Sequence, residues 1–186
     1  ADPDRAAEDC PTLEFASLDG FYVTESVGCS VTASGRLQLV QDGPVAEWDG
    51  CFVEPQTSFA VGSVEVAYGA ESDLPVSVGA YRKSDTDAVG LTRFGGELSL
   101  SVRTQEGVIL SSMDVDFDPS WTIWRIELAG GLAVAKTGPD PAELLPVLMV
   151  PFQVDGEMGI VIGSWPGAGT GSERVASFDD MKICPP

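Results

Sequence analysis

The sequence predicts an all-β protein, an antiparallel β-sandwich with at most one short helical turn. Three observations carry this reading. About a dozen short segments alternate apolar and polar residues with the period of two that leaves one strand face buried. Turn signals rich in Gly, Asp and Pro separate them roughly every eight to twelve residues. The chain is 44% hydrophobic over 186 residues, with 21 glycines and 13 prolines, so it has apolar material for a core in a turn-rich setting.

The elements follow in order. Residues 1–9 read as a polar leader or a vector remnant, and 10–186 as one β-sandwich domain. The lack of an initial methionine is read as the mature or engineered start of an exported protein. Leu13–Ala16 is a short first strand, Asp19-Gly20 a turn, and Phe21–Thr24 a further extended piece. Val31–Gly35 leads into Arg36–Gln41, with Leu37 and Leu39 inward. Phe52-Val53 is a strand with Pro55 at its end. Ser63–Tyr68, Val76–Tyr81 and Val89–Phe94 are strands, and Leu98–Arg103 pairs with Val108–Leu110 as a hairpin. Trp121–Leu128 is the strongest strand, with Trp124, Ile126 and Leu128 on one face, and Gly130-Gly131 turns it into Leu132–Lys136. Asp140-Pro-Ala-Glu143 has the cap, first-position proline and third-position glutamate of a helical turn, stopped by Pro146. Val147–Val154 is apolar but broken by Pro151; Met158–Gly163 is a strand, and Ser164–Gly171 a Gly-rich loop.

The last strand, Val175–Cys184, changes its apolar phase. Ala176 and Phe178 share one parity, Met181 and Ile183 the other. Either both faces are covered at Asp179-Asp180, or a β-bulge there resets the register and re-aims a carboxylate.

Composition excludes several function classes. The net charge of −19 repels nucleic acid and anionic membrane and suits divalent cations or basic partners. No apolar run reaches the length of a membrane span. The absence of histidine removes the usual general base, the Ser-His and Cys-His nucleophile pairs and most zinc sites. Cys10, Cys29, Cys51 and Cys184 lack metal-ligand spacing and read as disulfides, hence an extracytoplasmic, secreted or cell-surface location. Three pairings are open. Cys10–Cys184 with Cys29–Cys51 is preferred, because chain ends sit on neighbouring strands in many sandwiches.

Several pieces together resemble a known family. A Gly-x-Leu-x-Leu strand (Gly35, Leu37, Leu39) precedes Phe59-x-x-Gly-x-Val-Glu-Val66. Trp121-x-x-x-Arg125-Ile126, a Gly-Gly hairpin and Phe178-Asp-Asp-x-x-Ile183 close the chain. The sequence is similar to the concanavalin A-like, laminin G-like lectin/glucanase jelly roll of exported bacterial proteins. The resemblance implies two curved antiparallel sheets with first and last strands paired, in agreement with the preferred disulfides. It also implies calcium held by a last-strand carboxylate and an early one, which fall on Asp180 and Glu14.

Laminarinase-like members carry Glu-x-Asp-x-x-Glu, and no such run is present: Glu47-Trp-Asp49 continues to Phe52, and Asp114, Asp116 and Asp118 lack glutamate. The sequence therefore reads as no enzyme. Exposed aromatics beside polar groups suit pyranose rings, which makes Trp165, Trp48, Tyr68 and Tyr81 the glycan-binding candidates. The expected function is a non-catalytic extracellular module recognising glycan or a cell-surface ligand, with calcium as the one cofactor and no nucleic acid or membrane insertion. The alternative is a structural or adhesion module of a surface assembly.

Overall fold

The computed structural model describes residues 10–42, 50–70, 73–164 and 173–186. Fifteen strands make up its regular structure: β1 (Thr12–Leu13), β2 (Phe21–Thr24), β3 (Cys29–Ala33), β4 (Leu37–Gln41), β5 (Cys51–Pro55), β6 (Ser63–Ala70), β7 (Val76–Arg82), β8 (Ala88–Phe94), β9 (Glu97–Arg103), β10 (Ile109–Asp116), β11 (Ile123–Ala129), β12 (Leu132–Gly138), β13 (Leu145–Pro151), β14 (Met158–Ser164) and β15 (Arg174–Cys184). They form two antiparallel sheets. One runs β13-β12-β11-β6-β15-β4-β3, with β1 also on β15; the other runs β10-β9-β8-β7-β14-β5-β2.

The alternation in the sequence explains why the sheets stack. Val64, Val66 and Tyr68 of β6 and Trp124, Ile126 and Leu128 of β11 are buried from one side; Leu98, Leu100 and Val102 of β9 and Ile160 and Ile162 of β14 are buried from the other. Burying each large side chain contributes roughly 1.5–3 kcal/mol. Most outward residues on the same strands are polar or small, Ile123 and Val161 apart, so each sheet keeps one face for the core.

Of the two readings its phase switch allows, the closing strand has the bulge. Asp179 pairs with Ala67 and Met181 with Val66, so β15 carries one extra residue there. Asp180 is that residue, with φ at +38°. The bulge lets Ala176, Phe178, Met181 and Ile183 all enter the same core.

Cys10 bonds Cys184, tying the chain start to β15, and Cys29 bonds Cys51. The second bridge links β3 of one sheet to β5 of the other, so it staples the layers together.

Two local expectations change. The run from 31 to 41 is a hairpin, β3 turning into β4 around Gly35 at φ +82°. Asp140–Glu143 is a turn and not a helical one: Asp140 accepts from the Ala142 amide through Oδ1 at 2.8 Å and from the Glu143 amide through its carbonyl at 3.1 Å. The chain must re-enter the sheet as β13 by Leu145, which leaves no length to nucleate a helix. Pro146 and Pro151 fall in β13, an edge strand, where a missing N–H is tolerated.

Candidate functional site

A polar constellation lies on the outer face of the seven-stranded sheet, around β14. On this strand Ile160 and Ile162 face the core, so Gly159, Val161 and Gly163 face out. Tyr81 on β7 stands opposite Gly159, and Phe52 on β5 stands opposite Gly163. Each ring lies down on its glycine. A Cβ built on Gly159 would come within 2.5 Å of Tyr81 Oη, and one on Gly163 within 2.8 Å of Phe52 Cε1. Glycine inside a strand here has a physical reason: only a strand without side chains at these two points admits the rings. The rings are half-buried, and the two glycines beneath them are about 13 Å apart along the strand.

Because Tyr81 reaches across β14, its hydroxyl arrives at β5. There it donates to Glu54 Oε1. Lys83 Nζ donates to the same phenol oxygen at 2.7 Å and to Glu54 Oε1 at 3.0 Å, and it sits 4.6 Å from the Tyr81 ring centroid. Burial pushes the Tyr81 pKa up, and the Glu54 carboxylate, which favours a phenol that keeps its proton, adds to this; Lys83 works against both. The Lys83 pKa is also raised, first by its hydrogen bond to Tyr81 and then by Glu54. The result is a phenol fixed between a carboxylate and an ammonium at the edge of an aromatic platform.

Beside it, the middle of β7 and β8 carries small residues and hydroxyls. Ser77 and Gly79 of β7 stand opposite Thr92 and Gly90 of β8, and Thr92 Oγ1 lies 3.0 Å from Ser77 Oγ. Ser99 and Ser101 follow on β9. Among the described residues no carboxylate stands on the outer faces of β7, β8 or β14. Glu54 is the acid that borders the platform.

The structure redistributes the sequence candidates. Tyr81 is on the site. Tyr68 is not: it is 3% exposed, packs on Trp124 and Phe178 at centroid distances of 4.3 and 5.4 Å, and accepts a hydrogen bond from Arg93 at 2.7 Å. Its parity on β6 turns it into the core. Trp48 and Trp165 lie outside the described residues. Asp114 and Asp116 are exposed on edge strand β10, and Asp118 is held low in pKa by the Ser120 amide.

Asp180 and Glu14 flank one another on the other sheet, since Leu13 pairs with Met181. Both are exposed, and the neighbouring Asp179 is engaged by Arg36 at 2.8 Å. Calcium takes six to eight oxygens. Among the described residues no group of three or more acidic, His or Cys side chains gathers, so these two carboxylates alone do not make a calcium site.

Sequence reasoning passed over Glu54, Lys83 and Phe52. A signal was present: Gly-Ile-Val-Ile-Gly (159–163) puts both glycines on one strand face, and Phe52 and Glu54 share the outward parity of β5.

No protein-family model matches the sequence, and no curated protein does. Solved structures do. A Bacillus licheniformis β-glucanase aligns over 95% of this chain and 98% of its own at 13% identity, TM-score 0.72. A Crh5 transglycosylase in complex with NAG aligns over 97% and 85% at 15% identity, TM-score 0.73. The chain has the concanavalin A-like jelly-roll fold. The VIP36 exoplasmic/lumenal domain, in a form bound to Ca2+ and Man3GlcNAc, shares the jelly roll over 95% and 90% at 9% identity, TM-score 0.64.

These structures correct the functional expectation. The jelly rolls most similar to this chain include glucanases and a transglycosylase as well as a lectin, so a non-catalytic module, and the exclusion of an enzyme, find no support. The missing Glu-x-Asp-x-x-Glu run argues against one set of residues and leaves other catalytic chemistry open. The two disulfides fit an extracytoplasmic protein. Among the described residues no helix is long and apolar enough to cross a membrane.

Proposed function

We propose that this chain is a carbohydrate-active protein that seats a polysaccharide over β14, on the outer face of the seven-stranded sheet. The observation that supports it is the pair of rings, Tyr81 and Phe52, laid flat on Gly159 and Gly163 beside the Glu54–Lys83 pair. A pyranose presents an apolar face to such rings and hydroxyls to the polar groups at their edge. Hydroxyls of Ser77, Thr92 and Ser99 extend the polar surface across neighbouring strands. Glycan-binding and glycan-cleaving proteins share the fold, which agrees with this placement. The proposed seat does not involve calcium, because Glu14 and Asp180 belong to the other sheet.

Affinity electrophoresis through gels containing different polysaccharides tests the proposal, with product analysis on every polymer that retards the protein. Retardation by at least one polymer, reduced roughly three- to tenfold in affinity by Phe52→Ala, is expected, because a stacked ring is worth about 0.5–1.5 kcal/mol. Equal mobility in every gel would reject the seat, as would retardation that Phe52→Ala and Tyr81→Ala leave untouched.

A further inference from the structure

The two sheets end on four strands: β13 and β3 in one, β10 and β2 in the other. A strand at the end of a sheet leaves a row of N–H and C=O groups open to another chain, and short length, proline and lysine are common ways to prevent such pairing. β2 and β3 are four and five residues long, and β13 carries Pro146 and Pro151. β10 has eight residues, with no proline and no basic residue among them, and among the described residues only β9 pairs with it. The one irregularity in this pairing falls between Ile109 and Ser111, so residues 111–116 run in unbroken register against 97–102.

This edge has two chemically distinct sides. Ser112, Asp114 and Asp116 stand opposite Ser101, Ser99 and Glu97 on the outer face of the sheet, while Met113 stands opposite the buried Leu100 on the core side. Glu97, Asp114 and Asp116 are exposed, and none has a cation partner among the described residues. Met113 is 47% exposed because the sheet stops there, and Leu145 of β13, the strand that packs across from β10, is 68% exposed. Carboxylates on one side and apolar side chains on the other describe the strand that would extend the sheet. It has basic residues opposite Asp114 and Asp116 and an apolar one opposite Met113.

We propose that β10 is the docking edge for an extended segment of a partner protein in which basic and apolar residues alternate, added to the seven-stranded sheet as a further strand. Backbone hydrogen bonds to β10 hold the segment, and its alternate side chains decide which partner fits. An opposite charge directly across a strand pair is favourable and a like charge unfavourable, so Asp114 and Asp116 select lysine or arginine. The apolar residues between them turn to the core side, over Met113 and toward β13. The net charge of −19 draws a basic segment toward the chain. The same charge works against a second copy, which would bring its own carboxylates to the edge. Three strands, β9, β8 and β7, separate this edge from the glycan seat over β14, so the two sites are independent.

The probe is a fluorescein-labelled peptide of alternating lysine and valine, matched in length to β10, titrated with the intact chain at physiological ionic strength and read by anisotropy. Saturable binding is expected. Two N-methylated forms, one blocked at every lysine amide and one at every valine amide, separate a paired strand from a loose counterion. The form whose missing N–H groups face β10 should lose binding, and the other should keep it. Asp114→Lys/Asp116→Lys should weaken binding about tenfold or more. Asp155→Lys/Glu157→Lys, the same charge change in the loop before β14, should weaken it far less, and Phe52→Ala on the platform should leave it unchanged. No binding, equal binding of the parent and both N-methylated peptides, or equal weakening by the two charge reversals would overturn the proposal. Loss of binding in Phe52→Ala would also overturn it, by moving the peptide to the platform. Sedimentation of the chain alone completes the test: a monomer is expected, and a concentration-dependent dimer that the peptide disperses would assign the edge to a second copy instead.

Discussion

The Tyr81 hydroxyl donates to the Glu54 carboxylate across a whole intervening strand, over Gly159, whose missing Cβ leaves the room for it. Residues from β5, β7 and β14 meet at this point, 27 positions apart along the chain for Tyr81 and Glu54.

Gly159→Ala tests that dependence. The added methyl collides with the Tyr81 ring and its hydroxyl, so the ring must lift away. Overpacking of this kind costs about 1–3 kcal/mol. A lowered melting temperature with weakened polysaccharide retention is expected, whereas Gly156→Ala, outside the contact, should leave retention intact. Equal retention in Gly159→Ala and the native chain would disprove the dependence.

The proton on Tyr81 gives a second test. Its pKa lies above the ordinary phenol value, raised by burial and by Glu54 and lowered by Lys83. Glu54→Gln is expected to bring the titration down and Lys83→Met to push it further up, read as phenolate absorbance. The sign for stability follows from the direction: a raised folded pKa adds stability that is complete below the ordinary value and is lost as pH rises through the folded one. Wild type should therefore lose stability on the alkaline side faster than Tyr81→Phe.

The disulfides should differ in weight. Cys10–Cys184 closes a separation of 174 residues, and Cys29–Cys51 one of 22. In the chain-entropy account the longer loop is worth roughly 5 kcal/mol and the shorter about 3. Denaturant melts of the Cys10→Ser/Cys184→Ser and Cys29→Ser/Cys51→Ser variants should rank in that order. The reverse order would show that the staple between the sheets contributes native contacts beyond loop closure.

Calcium can be read directly from thermal melts in EDTA and in millimolar calcium. Glu14 and Asp180 alone fall short of the six to eight oxygens calcium takes. Equal melting temperatures are expected, with Asp180→Ala acting alike in both buffers. A calcium-dependent rise that Asp180→Ala removes would place an ion there by mass action.

Much of this molecule follows from its sequence alone. The period of two in Leu98–Arg103 or Trp124–Leu128 settles which residues are buried, because apolar side chains leave water whatever the topology. The phase switch at Asp179-Asp180 left a bulge or two covered faces open, and the pairing with β6 decides for the bulge. The turn at Asp140 was harder: its local signal fits a cap, and only the pairing of β13 with β12 shows that a strand begins again so soon. The site was illegible in a different way. Parity places Tyr81 outward and Tyr68, in phase with Val64 and Val66, inward, but it cannot say which residue lies two strands away. Strand order decided that Glu54, Tyr81, Lys83 and two glycines of β14 share one patch. Alternation is a local property that each strand carries in its own residues, while the neighbours across a sheet are set by hydrogen bonds between segments far apart in the chain.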